Sequence, residues 1–328
     1  MAHVLFATVL ALAWFATVNT ATSVAAAALG WVLEPTLRTV RPAAAARVFF
    51  VVRVLPGVVS LFFTIALFLP AHWRLEPTNA DESAGYCLLM LATIGAAILA
   101  ATAWRATAAA RATGWVGRVW ARRGARRAIE ADGVPVYGLP DAAPVVSLVG
   151  IFRPRLFVAT QVLDALTADE LDVSVAHELA HLDTRDNLKR VLVACAPDLL
   201  SVVGLSRRVE DRWRASLEFA ADARAVGNDQ ARALSLVSAL VKVARLSPAP
   251  RATRVPMIVG SYFYEGALLA ARVDRLLKVD TWRQQSFAAV PVWPVSLAGL
   301  GLLAALLPSH PVWLTVHTVT EGLIRVLP

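Results

Sequence analysis

The sequence predicts a mainly α membrane protein with about four transmembrane helices and an α+β globular domain inserted between the third and the fourth. Composition is the first reason. Apolar residues make up 57% of the 328-residue chain and charged residues 17%, against about 45–50% and about 25% in an ordinary soluble domain. Distribution is the second. The apolar excess gathers in four runs, 4–32, 48–71, 86–104 and 290–307, each near the roughly 20 helical residues that cross a hydrocarbon layer of about 30 Å. Between the third and fourth runs, 105–285 mixes charge with apolar periodicity, as a water-facing domain does. The domains are therefore 1–104 (three spans), 105–285 (the globular domain) and 286–328 (a fourth span and a short tail).

The first run lacks a basic leader and is far longer than the apolar part of a cleaved signal, so it reads as an anchor. Arg38, Arg41, Arg47 and Arg53 flank the first loop, and Arg105, Arg111, Arg118, Arg122, Arg123, Arg126 and Arg127 follow the third span. The loop between the second and third spans sets Arg74 against Glu76, Asp81 and Glu82. The positive-inside rule then places the globular domain in the cytoplasm and the amino terminus outside. This placement accounts for the net charge of +8. With few aromatic residues in the Arg run and no recognition motif after it, direct nucleic-acid binding is not expected, and the partner read from the composition is a lipid bilayer. The two cysteines, Cys87 and Cys195, read as small buried apolar residues rather than a staple.

Within the domain, a basic helix is expected to about residue 131, then strands near 134–137, 145–149 and 156–158, with a turn at 152–155. Thr167 and Glu170 form a capping-box pattern. The helix that starts there is expected to run to about residue 193, before Pro197 ends or bends it. Further helices are expected at about 208–226, stopped by Gly227, at 229–246 before Pro248 and Pro250, and at 266–277. The apolar stretch 191–205 holds Pro197 and Asp198 and is too short to cross, so it reads as core or as a face resting on the bilayer. The tail after Pro308 reads as either a poor fifth span or an interfacial helix.

His177-Glu178-Leu179-Ala180-His181 is an H-E-x-x-H pattern, and the capping box places it on a helix independently. Residues four apart share a helix face, so His177 and His181 can meet one metal ion while Glu178 points beside them. Zinc suits two imidazoles and a carboxylate with one open position, and Glu178 would then serve as general base for metal-assisted peptide hydrolysis. The other histidines, His3, His72, His310 and His317, lie near membrane ends or in the tail, so the third ligand is expected to be a carboxylate. Leu217-Glu218-Phe219-Ala220-Ala221-Asp222 supplies it: Glu218 as ligand, with Asp222 one turn on accepting the N–H of a ligating histidine. The competing reading of that pair is a solvated acidic stripe, against which Phe219 and the alanines speak. Asp183 is a weaker candidate, and Arg185 with Asp186 reads as a structural ion pair. Tyr262, Tyr264 and Arg272 are unranked candidates for stabilising an oxyanion.

The runs 149–155, 166–171 and 176–182, with Arg185-Asp186 and the Glu-x-x-x-Asp pair at Glu218 and Asp222, resemble the BlaR/MecR-type membrane metallopeptidases, the antibiotic-sensing signal transducers of bacteria. The resemblance covers the globular domain and extends to the plan of three spans before it and one after. It implies a gluzincin-like fold, with one zinc per chain held by His177, His181 and Glu218, Glu178 as catalytic base and Asp222 behind the ligands. It also implies that the strand at 145–149 pairs with an extended protein or peptide substrate, and that a BlaI/MecI-type repressor is a downstream target. The sensor members carry a penicillin-binding domain after the last span where this chain has a short tail, so direct β-lactam acylation is not expected. HtpX-type quality-control proteases are the nearest rival family. They place two hydrophobic spans between the H-E-x-x-H helix and the third ligand, where this chain has one short apolar stretch. From another class, a non-catalytic signalling scaffold has no use for a general base at Glu178, and a transporter would need more ionisable residues within the spans.

Overall fold

The computed structural model describes residues 2–76, 85–140, 146–202, 207–246, 268–278 and 308–326. It is mostly helical, with one four-stranded sheet. Among the described residues, three helices are long and apolar enough to cross a membrane. They are α1 (Ala2–Leu37), the run of α2 (Pro42–Phe62) through a π-helical turn (Phe63–Phe68) into α3 (Leu69–Leu75), and α4 (Tyr86–Arg123). The expected spans at 4–32, 48–71 and 86–104 fall within these helices, and the run at 290–307 lies outside the described residues. The helices approach closely where glycine allows it: a Cβ on Gly95 of α4 would strike the Leu12 carbonyl of α1.

The π turn precedes Pro70, which has no N–H to offer the carbonyl four residues back. That carbonyl, of Ala66, accepts Trp313 Nε1 at 3.4 Å instead. The donor comes from the tail helix, α12 (His310–Val326), which Trp14 Nε1 also fastens through Thr320 Oγ1 at 3.1 Å. The tail is therefore a helix packed on the start of α1 and on the π turn. At 17 residues it is shorter than the helices that qualify as spans.

After α4 the structure departs from expectation. The helix stops at Arg123, and Ala125–Ala131 is a strand, β1, not the continuation of a basic helix. Gly124 sits at the junction in extended conformation, where an added Cβ would lie 2.9 Å from the Trp120 carbonyl and 3.2 Å from Tyr137 Cβ. Asp132 and Gly133, both with positive φ, turn β1 back onto β2 (Val134–Leu139), as Asp-Gly does in two-residue hairpins. The sheet order is β1-β2-β4-β3, with β4 (Arg155–Ala159) parallel to β2 and β3 (Val146–Val149) antiparallel to β4 at the edge.

The helices that follow are α5 (Thr160–Ala165), α6 (Ala168–Asp183), α7 (Asp186–Cys195), α8 (Leu199–Val202), α9 (Arg207–Val226), α10 (Gln230–Leu246) and α11 (Leu269–Leu277). The domain core packs Val146, Leu148, Leu156 and Phe157 of the sheet against Val173 of α6 and Leu236, Leu240 and Val243 of α10. The expected single helix from Thr167 to about 193 is broken: α6 ends at Asp183, and Arg185 enters a left-handed conformation (φ 54°) before α7. Within the stretch 191–202, Val193, Ala196 and Asp198 are buried, while Leu192 and Cys195 are exposed. Asn19 of α1 donates to the Pro197 carbonyl at 3.0 Å and accepts from Leu199 N at 3.1 Å, and Arg53 pairs with Asp198 at 3.2 Å. Gly57 makes room, since a Cβ there would lie 2.7 Å from Pro197 Cδ. Helix α9 completes the mounting, with Val209, Trp213 and Leu217 packed on Ala26, Phe49 and Val52 while Arg208 and Arg212 pair with Glu34 of α1. The cysteines are both exposed rather than buried, because Cys87 in the first turn of α4 and Cys195 in the last turn of α7 face away from the packed helices.

Candidate metal centre

Helix α6 begins as its capping box requires: Glu170 N donates to Thr167 Oγ1 at 3.3 Å, and Thr167 N donates to Glu170 Oε2 at 2.8 Å. Two turns later the helical repeat brings the His177 and His181 rings to 4.9 Å between centroids, almost perpendicular at 88°. Helix α9 sets Glu218 against both. Its Oε2 lies 3.4 Å from His177 Nε2, and its Oε1 lies 3.6 Å from His181 Nε2. One ligand atom from each of the three residues falls within 4.8 Å of the others, and all three residues are buried.

The second nitrogen of each ring is held by a carboxylate. His177 Nδ1 is 2.9 Å from Asp222 Oδ1, and His181 Nδ1 is 2.9 Å from Asp186 Oδ2. This fixes the orientation of both imidazoles, presenting each Nε2 toward Glu218, as metal-binding histidines are commonly supported. Asp222 lies against a ring nitrogen of His177. Asp186, expected to pair with Arg185, pairs instead with His181 and with Lys189 at 2.8 Å. The helix break explains the difference, because the left-handed Arg185 lets Asp186 turn back onto the histidine five residues before it. Asp183 is exposed at the surface and pairs with Arg224 at 3.4 Å.

Glu178 is fully buried, and its Oε2 accepts the Leu148 amide of β3 at 3.0 Å. The same residue's carbonyl accepts Asn187 Nδ2 at 3.1 Å, and Asn187 also reaches the Gly150 carbonyl at 3.0 Å. Thus β3 is an edge strand, yet its outward groups at Leu148 are engaged by α6 and α7. Composition and spacing gave no sign of Leu148 or Asn187, since both act only once the sheet lies on α6. Arg272 of α11 is buried and fork-bonded to Asp222, Nη2 to Oδ1 at 2.6 Å and Nε to Oδ2 at 2.9 Å, with Nη1 3.3 Å from Glu218 Oε2. Its Nη2 also lies 3.4 Å from His177 Nδ1 and 3.5 Å from Nε2, so the guanidinium borders the candidate ligand atoms themselves. Tyr262 and Tyr264 lie outside the described residues.

The electrostatics follow from this crowding. Burial opposes ionisation of Glu218, but His181, His177 and Arg272 hold its carboxyl well below the usual range. Burial and the Arg272 charge press the His177 imidazole down, while hydrogen bonds to Asp222 and Glu218 prevail and raise it to about 9. Asp222 and Asp186 are both held low, against the cost of burial, by Arg272 with His177 and by His181 with Lys189 respectively. Arg190 also approaches Glu218 Oε1 at 3.5 Å, yet His181 Nε2 is a buried nitrogen with no hydrogen bond. Two imidazole nitrogens and a carboxylate form a donor set suited to zinc. The residues fit the ion.

A scan against protein-family models gives no match for the chain, and a search of curated proteins gives none either.

Proposed function

We propose that the chain is an integral membrane zinc-dependent endopeptidase of the BlaR/MecR type, whose α6–α9 centre hydrolyses a peptide bond in a protein substrate. The observation that carries this reading is the joint geometry of His177, His181 and Glu218, with a glutamate, Glu178, buried between the two histidines. A bound zinc ion supplies Lewis acidity, polarising a carbonyl and making water acidic near neutral pH. His177, His181 and Glu218 would hold it, and Asp222 and Asp186 fix the orientation of the two imidazoles. Glu178 takes the proton of the attacking water and returns it to the leaving amide nitrogen. The Leu148 amide steadies that carboxylate, and an extended substrate laid along β3 would exchange for the contacts that Asn187 now makes.

The basic extension of α4 beyond the third span supports a cytoplasmic location for the domain, where a BlaI/MecI-type repressor is the substrate class the resemblance suggests. The test is zinc content and proteolysis of the purified protein in mild detergent. Wild type and Glu178→Gln are expected to retain about one zinc each at the α6–α9 centre, with cleavage only in wild type. Cleavage that survives Glu178→Gln sinks the reading.

A further inference from the structure

At the far end of α1 from Glu34 lies a second cluster of imidazoles and carboxylates. His72 and Glu76 stand four residues apart at the end of α3, and His317 and Glu321 stand four apart on α12. Each pair shares one helical face, and the Trp313 and Trp14 contacts that dock α12 bring the two faces together. The Nδ1 atoms of His72 and of His317 each lie 3.5 Å from the same oxygen, Glu76 Oε2. Ligand atoms of Glu76, His317 and Glu321 lie within 4.8 Å of one another. The Glu76 side chain is only 5% exposed. His72 is 2% exposed and stacks on the His3 ring at 5.1 Å between centroids, and its Nε2 makes no hydrogen bond. Glu321 Oε1 is likewise buried without a hydrogen-bond partner. Two carboxylates and two imidazoles gathered at one point, with His72 Nε2 and Glu321 Oε1 buried and without a hydrogen bond, form the environment a divalent ion of intermediate softness satisfies.

We propose that Glu76, His317 and Glu321, backed by His72, form a second site for a divalent transition metal ion such as zinc. The site is separate from the His177 centre: the 31 residues of α1 between His3 and Glu34, near which α9 docks, span about 46 Å at the helical rise. An ion there joins α3 to α12, tying the tail helix to the π turn that it covers.

The experiment is zinc content of the full chain in mild detergent, with Co2+ absorption as a second probe. Wild type is expected to hold about two zinc ions, Glu218→Ala about one, His317→Gln or Glu321→Gln about one, and Glu218→Ala combined with His317→Gln none. Co2+ added to the Glu218→Ala protein is expected to give ligand-field bands that Glu321→Gln removes, a readout that needs no proteolysis. A single wild-type zinc that Glu218→Ala abolishes overturns the second site and leaves the peptidase centre standing. A single zinc that survives Glu218→Ala and is lost in His317→Gln supports the second site and overturns the first.

Discussion

The two ends of helix α6 treat buried carboxylates in opposite ways. At its start, both oxygens of Glu170 are satisfied by the protein itself: Ser238 Oγ donates to Oε1 at 2.6 Å, while Thr167 N and Lys242 Nζ donate to Oε2 at 2.8 and 2.7 Å. Two turns later, three fully buried carboxylates, Glu178, Glu218 and Asp222, crowd one fully buried guanidinium, Arg272. There His181 Nε2 is left without a hydrogen bond. Buried polar groups that serve only stability close their bonding among themselves. Those that hold a ligand keep donor atoms back for it. The same helix and the same core thus carry a finished cap and a cluster that the proposed ion would complete.

The largest expected effects come from removing what that cluster is built for. Glu178→Gln is expected to lower peptide hydrolysis on the order of 10²–10⁴-fold with zinc retained. Glu218→Ala is expected to lose both zinc at that centre and activity, and chelation of wild type is expected to lower its melting temperature, since ion binding to the folded state adds to stability. A melting temperature that rises on chelation, or a Glu218→Ala protein that still cleaves, would erase the contrast between the two ends.

A finer comparison lies within the centre. Asp222 supports His177 and also neutralises buried Arg272, whereas Asp186 supports His181 and shares its charge with Lys189, whose side chain is 27% exposed. Asp186→Asn is expected to weaken zinc affinity by about 10–100-fold with little loss of stability. Asp222→Asn is expected to weaken zinc binding similarly and also to destabilise the fold by about 3–5 kcal/mol, the cost of leaving a buried charge short of its partner. Zinc titration and thermal melts of the two variants side by side check this. Equal melting temperatures would show that Arg272 does not depend on Asp222.

What the sequence disclosed, and what it hid, follows from the range of each interaction. The cap at Thr167 and Glu170, the face shared by His177 and His181, and the stop at Gly227 are local, decided within one or two turns. Glu218 and Asp222 were legible because a carboxylate pair among alanines does not suit a solvated face. Asp186 was hidden behind a helix break that rests on one left-handed arginine, a conformation few non-glycine residues adopt. Alternating Arg and Ala residues masked β1, although Asp132-Gly133 was a hairpin signal open to reading. Leu148, Asn187 and Arg272 reach the site only through packing of β3, α7 and α11, which no local pattern encodes. The His72/Glu76 and His317/Glu321 pairs each had helical spacing, but only the docking of α12 on the π turn makes them one cluster.

The smallest expected effect belongs to the finished end. Burial raises the Glu170 pKa, but hydrogen bonds from Lys242, Ser238 and Thr167 outweigh it and bring the carboxyl from 4.5 down to about 2. A carboxylate depressed on folding contributes stability that is complete above its unfolded pKa and is lost as pH falls through the folded value. The window is therefore pH 4.5 to about 2. The contribution is on the order of 2 kcal/mol once the solvent screening of Lys242, 37% exposed, is allowed for. Acidic groups at the other end of α6 also titrate in acid, so wild type alone cannot isolate Glu170. The difference in melting temperature between wild type and Glu170→Gln does so. It is expected to be full at pH 6, to shrink below pH 4.5 and to close near pH 2, because the amide keeps a hydrogen-bond acceptor but never carries the charge that Lys242 pairs with. A gap that stays constant across that window would mean that the cap holds through shape and hydrogen bonding alone, and that the ion pair with Lys242 adds nothing.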